Sequence, residues 1–417
     1  MIIERWGAMS DLTRINPYTP GAGTRPSVLA GRDSQIALIQ SLADQVEAGK
    51  QANPIIFTGL RGMGKTSLLY QARDLLRARG WLAGYYEVRR DVEPGTAIQT
   101  IIADSAQLTT GGLRRALVGG AHRIGNFRLT LGPTGFSFAV TTKDPTATAD
   151  PYPELVAFLS TLGADARANG VGVALLIDEL QIFRKRDLAL LVQALSALNE
   201  QPIVLIGAGL PYLASEMAKA NTYAERFRFE EIASLNDGDA REAVESPAFH
   251  QGLIWERDAV ADLVAESSGY PYFLQLYASE AWVAAANANT ITAEHVRLAG
   301  DPVRRQLDAG LYAARYDRLS DREREYVDAM VQVLVADRLA APNELHPGQA
   351  TTGSLSSARV SSGKVAALLG KPLNVVGPIR DRVIKKGIIY APHYGVLEFS
   401  VPGFAEYVAR RGAAGSV

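Results

Sequence analysis

Apolar and polar positions follow two rhythms along the chain, and together they predict an α/β protein. Four short runs are apolar at consecutive positions, as expected for strands buried on both faces of a parallel sheet. These runs are Pro54–Thr58, Trp81–Val88, Val173–Ile177 and Ile203–Ile206. Between them apolar residues recur with helical spacing, for example over 33–48 and 66–79. The predicted fold class is therefore α/β, with a parallel sheet sandwiched by helices.

After Asn236 the strand pattern disappears, which predicts a second region made of helices. Helical spacing continues without a strand pattern to about Arg318. A further helix is predicted from Leu319, because Ser320 and Glu323 have the spacing of a capping box. We therefore expect an α/β core over 29–235, a helical lid domain over 236–318 and a third domain over 319–417.

The start of the chain and one internal segment depart from these rhythms. Turn-forming residues dominate 16–23 and predict an extended N-terminal arm over 1–28, with order beginning near Leu29. Between Ile124 and Thr142 alternating apolar residues flank a Gly-Pro-Thr-Gly turn, which predicts a β-hairpin insertion. The hairpin either covers an edge of the sheet or contacts a partner, and the sequence leaves both open.

The last domain is predicted to contain two helices followed by a two-stranded wing. The elements are Ser361–Leu369, Asn374–Lys386, Ile388–Tyr390 and Val396–Phe399. On the second helix Val375, Ile379 and Val383 fall on one face. This order resembles a winged helix.

Charge is distributed unevenly, although the whole chain has a net charge of only −1. From Thr351 to Val417 nine basic residues face three acidic ones, a balance of +6. Four of the basic residues lie on the second helix and are candidates for phosphate contacts with duplex DNA. They are Arg380, Arg382, Lys385 and Lys386. The alternative is a winged helix that packs on the rest of the chain as a lever and binds protein.

A glycine-rich segment after the first strand matches the phosphate-binding loop G-x-x-x-x-G-K-[ST]. Its residues are Gly59, Leu60, Arg61, Gly62, Met63, Gly64, Lys65 and Thr66, followed by Ser67. A strand precedes it and a helix follows it, which is the context that such a loop requires. The pattern predicts ATP binding, with Lys65 at the β and γ phosphates and the Thr66 hydroxyl on Mg²⁺.

Two adjacent carboxylates end the third apolar run, as in a Walker B strand. Asp178 is predicted to hold Mg²⁺, and Glu179 to act as the general base on the water that attacks the γ-phosphate. The second carboxylate favours hydrolysis over transfer to a small acceptor.

Together these segments resemble bacterial P-loop ATPases of the AAA+/STAND assemblage, and within it the origin-recognition-like ATPase domain. The resemblance rests on 16–21, 29–33, the glycine-rich loop, 177–181, 207–211 and the Gly-Tyr-Pro segment 269–275. It implies that Leu29, Gly31 and Arg32 flank the adenine. It also implies that Pro271, in the lid, packs near the base or ribose.

Two departures from that family pattern predict slow hydrolysis. The fourth strand ends in Gly207-Ala208-Gly209 without the polar sensor residue of many relatives, and Pro271 stands where others have a sensor arginine. Arg226 is the candidate for an arginine acting on a neighbour's γ-phosphate, with Arg228 as its rival. An arginine acting in trans implies a homo-oligomer.

Composition narrows the remaining choices. The chain has no cysteine and five scattered histidines, which excludes thiol chemistry and makes an imidazole metal site improbable. No apolar run is long enough to span a bilayer, so we expect a cytoplasmic protein without a membrane partner. The predicted function is a Mg²⁺-dependent ATPase that acts as a nucleotide-controlled switch. Its output is DNA-associated or, alternatively, protein binding of the STAND signalling type.

Overall fold

The chain forms two compact units. The computed structural model describes residues 14–21, 23–107, 123–124, 127–132, 135–140, 151–198, 201–286, 288–340, 355 and 358–414. One unit, here called the core unit, comprises 32–59 and 64–233. The other, here called the helical unit, comprises the described parts of 1–31, 60–63 and 234–417.

A five-stranded parallel sheet organises the core unit and confirms the predicted α/β fold class. In chain order the strands up to Glu231 are β1 (Ile55–Thr58), β2 (Leu82–Glu87), β3 (Arg123–Ile124), β4 (Phe127–Gly132), β5 (Gly135–Val140), β6 (Val173–Asp178), β7 (Ile203–Gly209) and β8 (Arg228–Glu231). The main sheet has the order β2–β6–β7–β1–β8, with all neighbours parallel. The four strands predicted from the sequence are confirmed. Strand β8 completes the sheet at the edge beside β1.

In the described residues of the core unit, six α-helices accompany this sheet. They are α1 (Asp33–Glu47), α2 (Lys65–Ala78), α3 (Pro94–Gln107), α4 (Pro151–Ala168), α5 (Lys185–Ser196) and α6 (Leu213–Ala220). Apolar residues of α3, α4 and α5 form one buried cluster with those of β6 and β7. Every residue of β6 is buried, as the uninterrupted apolar run predicts. This packing fixes the carboxyl ends of the strands.

The predicted β-hairpin is confirmed. Strands β4 and β5 pair antiparallel from Phe127–Val140 to Gly132–Gly135, and β3 pairs with β4. These three strands form a sheet of their own, with no pairing to the five-stranded sheet among the residues described.

Between Asp237 and Asp317 the described residues of the helical unit form five α-helices, α7 (Asp237–His250), α8 (Arg257–Ser267), α9 (Pro271–Ala285), α10 (Ala293–Gln306) and α11 (Ala313–Asp317). A π-helical segment, Leu307–Tyr312, lies between the last two. The expectation of no strand here was wrong, because β9 (Ile254–Trp255) pairs in parallel with β10 (Thr290–Ile291). Strands of two residues are too short to produce a readable alternation.

Residues 14–20 have no regular secondary structure, but the expectation that order begins near Leu29 was wrong. Tyr18 is only 4% exposed and belongs to the apolar core formed by α7–α10. Its hydroxyl donates to the Val244 carbonyl at 2.5 Å and accepts from the Trp255 indole at 2.9 Å. Asn16 donates to the Ser279 hydroxyl at 3.0 Å. An aromatic side chain with satisfied polar atoms thus anchors a segment whose composition suggested a free arm.

The C-terminal part of the helical unit starts with one long helix. Its elements are α12 (Asp321–Ala340), β11 (Val360–Ser361), α13 (Ser362–Leu368), α14 (Leu373–Lys385), β12 (Ile389–His393), β13 (Val396–Phe399) and α15 (Phe404–Ala414). The three strands form an antiparallel sheet in the order β11–β13–β12. On α14 the buried face includes Val376 at 1% exposure, whereas Val375, predicted on that face, is 49% exposed.

Two of the basic residues proposed for DNA phosphates are instead paired inside the helical unit. Glu323 of α12 is 2% exposed, and its carboxylate contacts Lys386 at 2.6 Å and Arg382 at 3.3 Å. Lys386 also donates to the Arg318 carbonyl at 2.7 Å. Arg380 pairs with its neighbour Asp381 at 2.9 Å. The +6 balance therefore overstates the positive charge that α14 presents.

Glu323 is the acidic residue on which this arrangement depends. Burial alone raises its pKa, but hydrogen bonds from Lys386 and from the Ser320 backbone N–H outweigh burial and hold the pKa at about 2. The hydrogen bond from the Ser320 backbone N–H to Glu323 also confirms the predicted capping role of Glu323 at the start of α12.

We predict that Glu323→Gln destabilises the helical unit at neutral pH, by about 1–3 kcal/mol, because two cations lose their partner. A carboxyl group whose pKa is lowered on folding stabilises the folded state fully at a pH above its ordinary pKa of 4.5. This stabilisation is lost as the pH falls from 4.5 towards 2. Chemical denaturation at pH 7 and pH 3 should therefore show a difference between wild type and variant that shrinks at low pH. Glu325→Gln is the control, since its pair with Lys371 is on the surface. A difference that is independent of pH contradicts the assignment.

Candidate functional site

The glycine-rich loop connects β1 to α2 at the carboxyl end of the sheet, where parallel α/β folds bind ligands. A side chain on Gly59 would meet the Ile232 carbonyl at 2.4 Å, so only glycine fits. Gly62 and Gly64 have φ values of 86° and 85°, in the left-handed region that other residues avoid. The backbone therefore needs these glycines for its conformation, as the sequence pattern predicts.

Lys65 begins α2 and is 6% exposed, held under the loop that precedes it. Its ammonium donates to the Gly59 carbonyl at 2.9 Å. The next residues of the loop region, Thr66 and Ser67, lie in the first turn of the same helix. A cation at a helix N-terminus beside exposed loop backbone is the arrangement that binds phosphate.

Asp178 ends β6 and is the residue around which the polar contacts gather. It is 2% exposed, and its Oδ2 accepts from the Thr66 hydroxyl at 2.6 Å and from the Tyr85 hydroxyl at 3.2 Å. Burial, and next the charge of Asp178, raise the pKa of Tyr85. Tyr85 stays protonated and acts as a donor. The fold brings Thr66 and Asp178 together, although 112 positions separate them in the sequence.

Glu179 follows in a left-handed backbone conformation, with φ of 55°. Its N–H donates to Asp178 Oδ1 at 2.8 Å. A non-glycine residue in this region is strained, and such residues cluster at functional sites. The turn directs the chain into the short helix Leu180–Ile182 immediately after the two carboxylates.

Gln181 contacts Glu179 and was not singled out from the sequence. Its amide Nε2 donates to the Glu179 carboxylate, and its Oε1 accepts from the Leu210 N–H at 3.2 Å. The side chain thus joins the predicted base to the end of β7. Its position two residues after Glu179 was visible in the sequence, but no local pattern identified this contact.

The oxygen atoms of Thr66 and Asp178 fit a magnesium site. Mg²⁺ prefers oxygen ligands and is usually bound by one or two carboxylates together with substrate phosphates and water. In the described residues no cluster of three or more His, Cys, Asp or Glu could hold a metal without such help. One carboxylate and one hydroxyl beside a phosphate-binding loop match that expectation.

The residues that the family resemblance places near the base or ribose of the nucleotide lie at the starts of α1 and α9. Arg32 is buried and donates to the Ala233 carbonyl at 2.9 Å within the core unit. In the helical unit Gly31 has φ of 65°, and a side chain there would meet Asp239 at 2.5 Å. Leu29 is half-buried, and Pro271 is the first residue of α9. Their contact with a base stays a prediction.

The two arginines considered for a role in trans differ in their contacts. Arg228 pairs with Glu230 at 2.6 Å. Arg226 is exposed, with its guanidinium over the Tyr223 ring at 5.2 Å. A guanidinium held by an aromatic face keeps its donors accessible to a phosphate.

Within the helical unit, Tyr270 connects the loop segment 60–63 to the helices that follow. Its hydroxyl donates to the Arg61 carbonyl, and a side chain on Gly62 would meet its ring at 2.7 Å. Burial raises the pKa of Tyr270 to about 12, so it stays a donor. Met63, also in this segment, is buried near the Ser234 hydroxyl.

Arg315, a half-buried residue of α11, has a lowered pKa. Burial is the main cause that lowers its pKa, and Arg61 adds to that effect. Its guanidinium donates to the Gly387 carbonyl, just beyond the C-terminus of α14, at 3.2 Å. Arg315 was another residue that sequence patterns did not indicate.

The parallel sheet, the glycine-rich loop and the Thr66–Asp178 pair define a P-loop nucleoside triphosphatase. Residues 28–206 match the family described as AAA ATPase domain, so this part of the chain is an AAA ATPase domain and its reaction class is ATP hydrolysis. Residues 309–408 match a family described as a domain of unknown function, DUF8462. No curated protein gives a significant match.

Several solved structures resemble the chain distantly over most of its length. Orc1 of Aeropyrum pernix, solved in complex with DNA, is 14% identical with a TM-score of 0.45, covering 94% of this chain and 96% of that one. RuvB of Thermotoga maritima is 14% identical with a TM-score of 0.44, covering 90% and 95%. Cdc6p of Pyrobaculum aerophilum is 13% identical with a TM-score of 0.42, covering 93% and 95%. At this distance they identify no partner for this chain.

Among the residues that the structure describes, no helix is both long enough and apolar enough to span a membrane.

Proposed function

We propose that this chain is a Mg²⁺-dependent ATPase that works as a nucleotide-controlled switch. The observation that supports it most directly is the 2.6 Å contact between Thr66 and Asp178, with Glu179 next in the chain. These groups belong to a loop and a strand far apart in sequence, and the fold brings them together at the carboxyl end of the sheet.

Each residue has one task in the proposed reaction. Lys65 neutralises charge on the β and γ phosphates, and Thr66 and Asp178 offer oxygen ligands to Mg²⁺, which when bound offsets the charge on the phosphates. Glu179 accepts a proton from water as the water oxygen bonds to the γ-phosphorus. The bond from that phosphorus to the β,γ-bridging oxygen breaks, which gives ADP and phosphate.

The metal assignment predicts the effect of Asp178→Asn. The amide keeps the shape of the carboxylate but loses its charge, so the magnesium concentration for half-maximal phosphate release should rise at least about tenfold. Asp74→Asn, with a side chain 42% exposed on α2, is the matched control and should leave it unchanged. An unaltered magnesium dependence in Asp178→Asn would remove the carboxylate from the metal site.

Two contacts in the helical unit support a switch. Tyr270 donates to a carbonyl of the phosphate-binding loop, and Arg315 donates to the end of α14. If a bound phosphate changes the loop backbone at Arg61, it moves the carbonyl that accepts the hydrogen bond from Tyr270. The ligand shifts the conformational equilibrium only by its differential affinity for the two arrangements.

We further propose that the helical unit contains a lid over 236–318 and a winged helix over 319–417. The order α12, β11, α13, α14, β12, β13 supports the second assignment, because it is helix, strand, helix, helix and then two strands of a wing. We favour protein binding as the output. In the DNA-reading version α14 would carry accessible cations, but Arg382 and Lys386 are held by Glu323.

Duplex DNA remains the second candidate, supported by the exposed Lys385 of α14, whereas the basic residues Arg410 and Arg411 of α15 pair with Asp308 at 2.7 Å and with Asp317 at 3.8 Å. If these residues bind phosphates, log affinity falls with log salt concentration by about 0.9 per phosphate neutralised. Titration of mixed-sequence duplex with the full chain, with and without ATP, decides between the outputs. Binding that weakens steeply with salt, and less steeply in Lys385→Ala, would establish the DNA output.

Arg226→Ala should lower hydrolysis by about a hundredfold or more and leave ATP affinity unchanged, because its guanidinium would act on a neighbouring subunit's phosphate. Mixing is the decisive measurement. Inactive Arg226→Ala and Glu179→Gln chains should recover activity together, since each supplies what the other lacks. The control is Arg228→Ala, and no recovery at any ratio would assign Arg226 a role within its own chain.

A further inference from the structure

The end of β7 lacks the polar side chain that the family resemblance leads one to expect, and a different residue occupies that space. Strand β7 ends in glycine at Gly209, beside Thr58 of β1. A side chain added to Gly209 would meet Gln181 Oε1 at 2.6 Å and Leu213 at 2.5 Å. The glycine therefore leaves room for the amide of Gln181.

Both ends of that amide are engaged. Nε2 donates to the Glu179 carboxylate, while Oε1 accepts from the Leu210 N–H at 3.2 Å. An amide presents a donor and an acceptor at fixed separation, so these two bonds define its orientation. Glutamate at this position would place a carboxylate against a carboxylate, and alanine would remove both of these hydrogen bonds.

We infer that Gln181 is a positioning residue that orients Glu179 for the attacking water and ties it to the end of β7, replacing the missing polar residue of that strand. The inference rests on the proposed role of Glu179 as the base. Its physical reason is that a general base must lie within hydrogen-bond reach of the proton that it removes. The strained backbone at Glu179, with φ of 55°, does not by itself fix the carboxylate.

The hydrogen bond between the Leu210 N–H and Gln181 also couples the Glu179 side chain to strand β7. Leu210 directly follows β7, so a shift of this strand end moves the amide, and with it the base. Nε2 carries two hydrogens, of which one is directed to Glu179 and the other can donate to water or phosphate oxygen. Gln181 thereby makes the orientation of the base depend on the position of the strand end.

The test compares Gln181→Ala, Gln181→Glu and Glu179→Gln with wild type, using Mg·ATP and the full chain. For Gln181→Ala we expect kcat to fall about 10–100-fold with KM and ATP affinity within about twofold, because the residue orients the base without binding ground-state nucleotide. Gln193→Ala, exposed on α5, is the matched control.

Gln181→Glu keeps the volume of the side chain and so remains informative if the alanine variant does not fold. Two adjacent carboxylates resist being ionised together, so the acid limb of its pH–rate profile should move to higher pH. A purely structural role would not move this limb.

The outcomes separate this inference from the proposed function. If Glu179→Gln is inactive while both Gln181 variants keep wild-type kcat and pH dependence, the positioning role is wrong and the ATPase mechanism stands. A fall in ATP affinity with unchanged kcat in Gln181→Ala also overturns it. If Glu179→Gln hydrolyses ATP at the wild-type rate, the assignment of the base fails, and the role of Gln181 with it.

Discussion

Lys65→Ala should reduce ATP affinity at least a hundredfold, or about 2.8 kcal/mol. Lys65 is buried under the loop with its ammonium 2.9 Å from the Gly59 carbonyl. In that position its charge is poorly screened by water, so its contribution to binding phosphate is larger than that of a surface lysine. Titration calorimetry with Mg·ATP measures the loss.

The matched control is Lys50→Ala, which removes an exposed lysine from the same unit. It should leave the affinity unchanged within about twofold. Thermal unfolding without nucleotide should be similar for both variants, since neither needs its ammonium to fold. Wild-type affinity in Lys65→Ala would mean that ATP does not bind at this loop.

Glu179→Gln should retain Mg·ATP and lose hydrolysis, with kcat lower by about 10²–10⁴-fold. The amide has the shape of the carboxylate and can still accept from Gln181, but it cannot take a proton from water at neutral pH. Phosphate release in single turnover isolates the chemical step, and calorimetry establishes that the nucleotide is bound.

The control for Glu179→Gln is the same substitution of glutamate by glutamine at a position outside the site. Glu242→Gln, exposed on α7, should keep the wild-type kcat. Turnover in Glu179→Gln within about threefold of wild type would exclude this residue as the base and would direct attention to another acceptor of the proton.

Much of the core unit was predictable because its signals are local. Parallel strands buried on both faces are uninterrupted apolar runs, and β6 is one. The loop Gly59–Thr66 has a fixed spacing, and its glycines are required by the conformation that the structure shows. Thr66 and Asp178 were each predicted as ligands of one metal ion from their places at a helix start and a strand end, and the structure shows the contact between them.

Contacts between distant segments were not predictable from local patterns. The charge count over 351–417 could not anticipate that Glu323, 63 positions before Lys386, pairs with Lys386 and Arg382. The amide of Gln181 finds its partner Leu210 through the sheet, which no spacing encodes. Tyr18 lay among turn formers, and only the apolar core of α7–α10 reveals its anchoring role.

The most direct test of the switch is hydrogen exchange on the full chain with and without Mg·ATP, using Glu179→Gln to retain ATP and Lys65→Ala as the control that does not bind it. The contacts of Tyr270 with Arg61 and of Arg315 with Gly387 predict that ATP changes the protection of amides in 380–388 as well as in the loop. The change should be absent in Lys65→Ala. Protection altered only at the loop, with 380–388 unchanged while ATP is bound, would contradict the account.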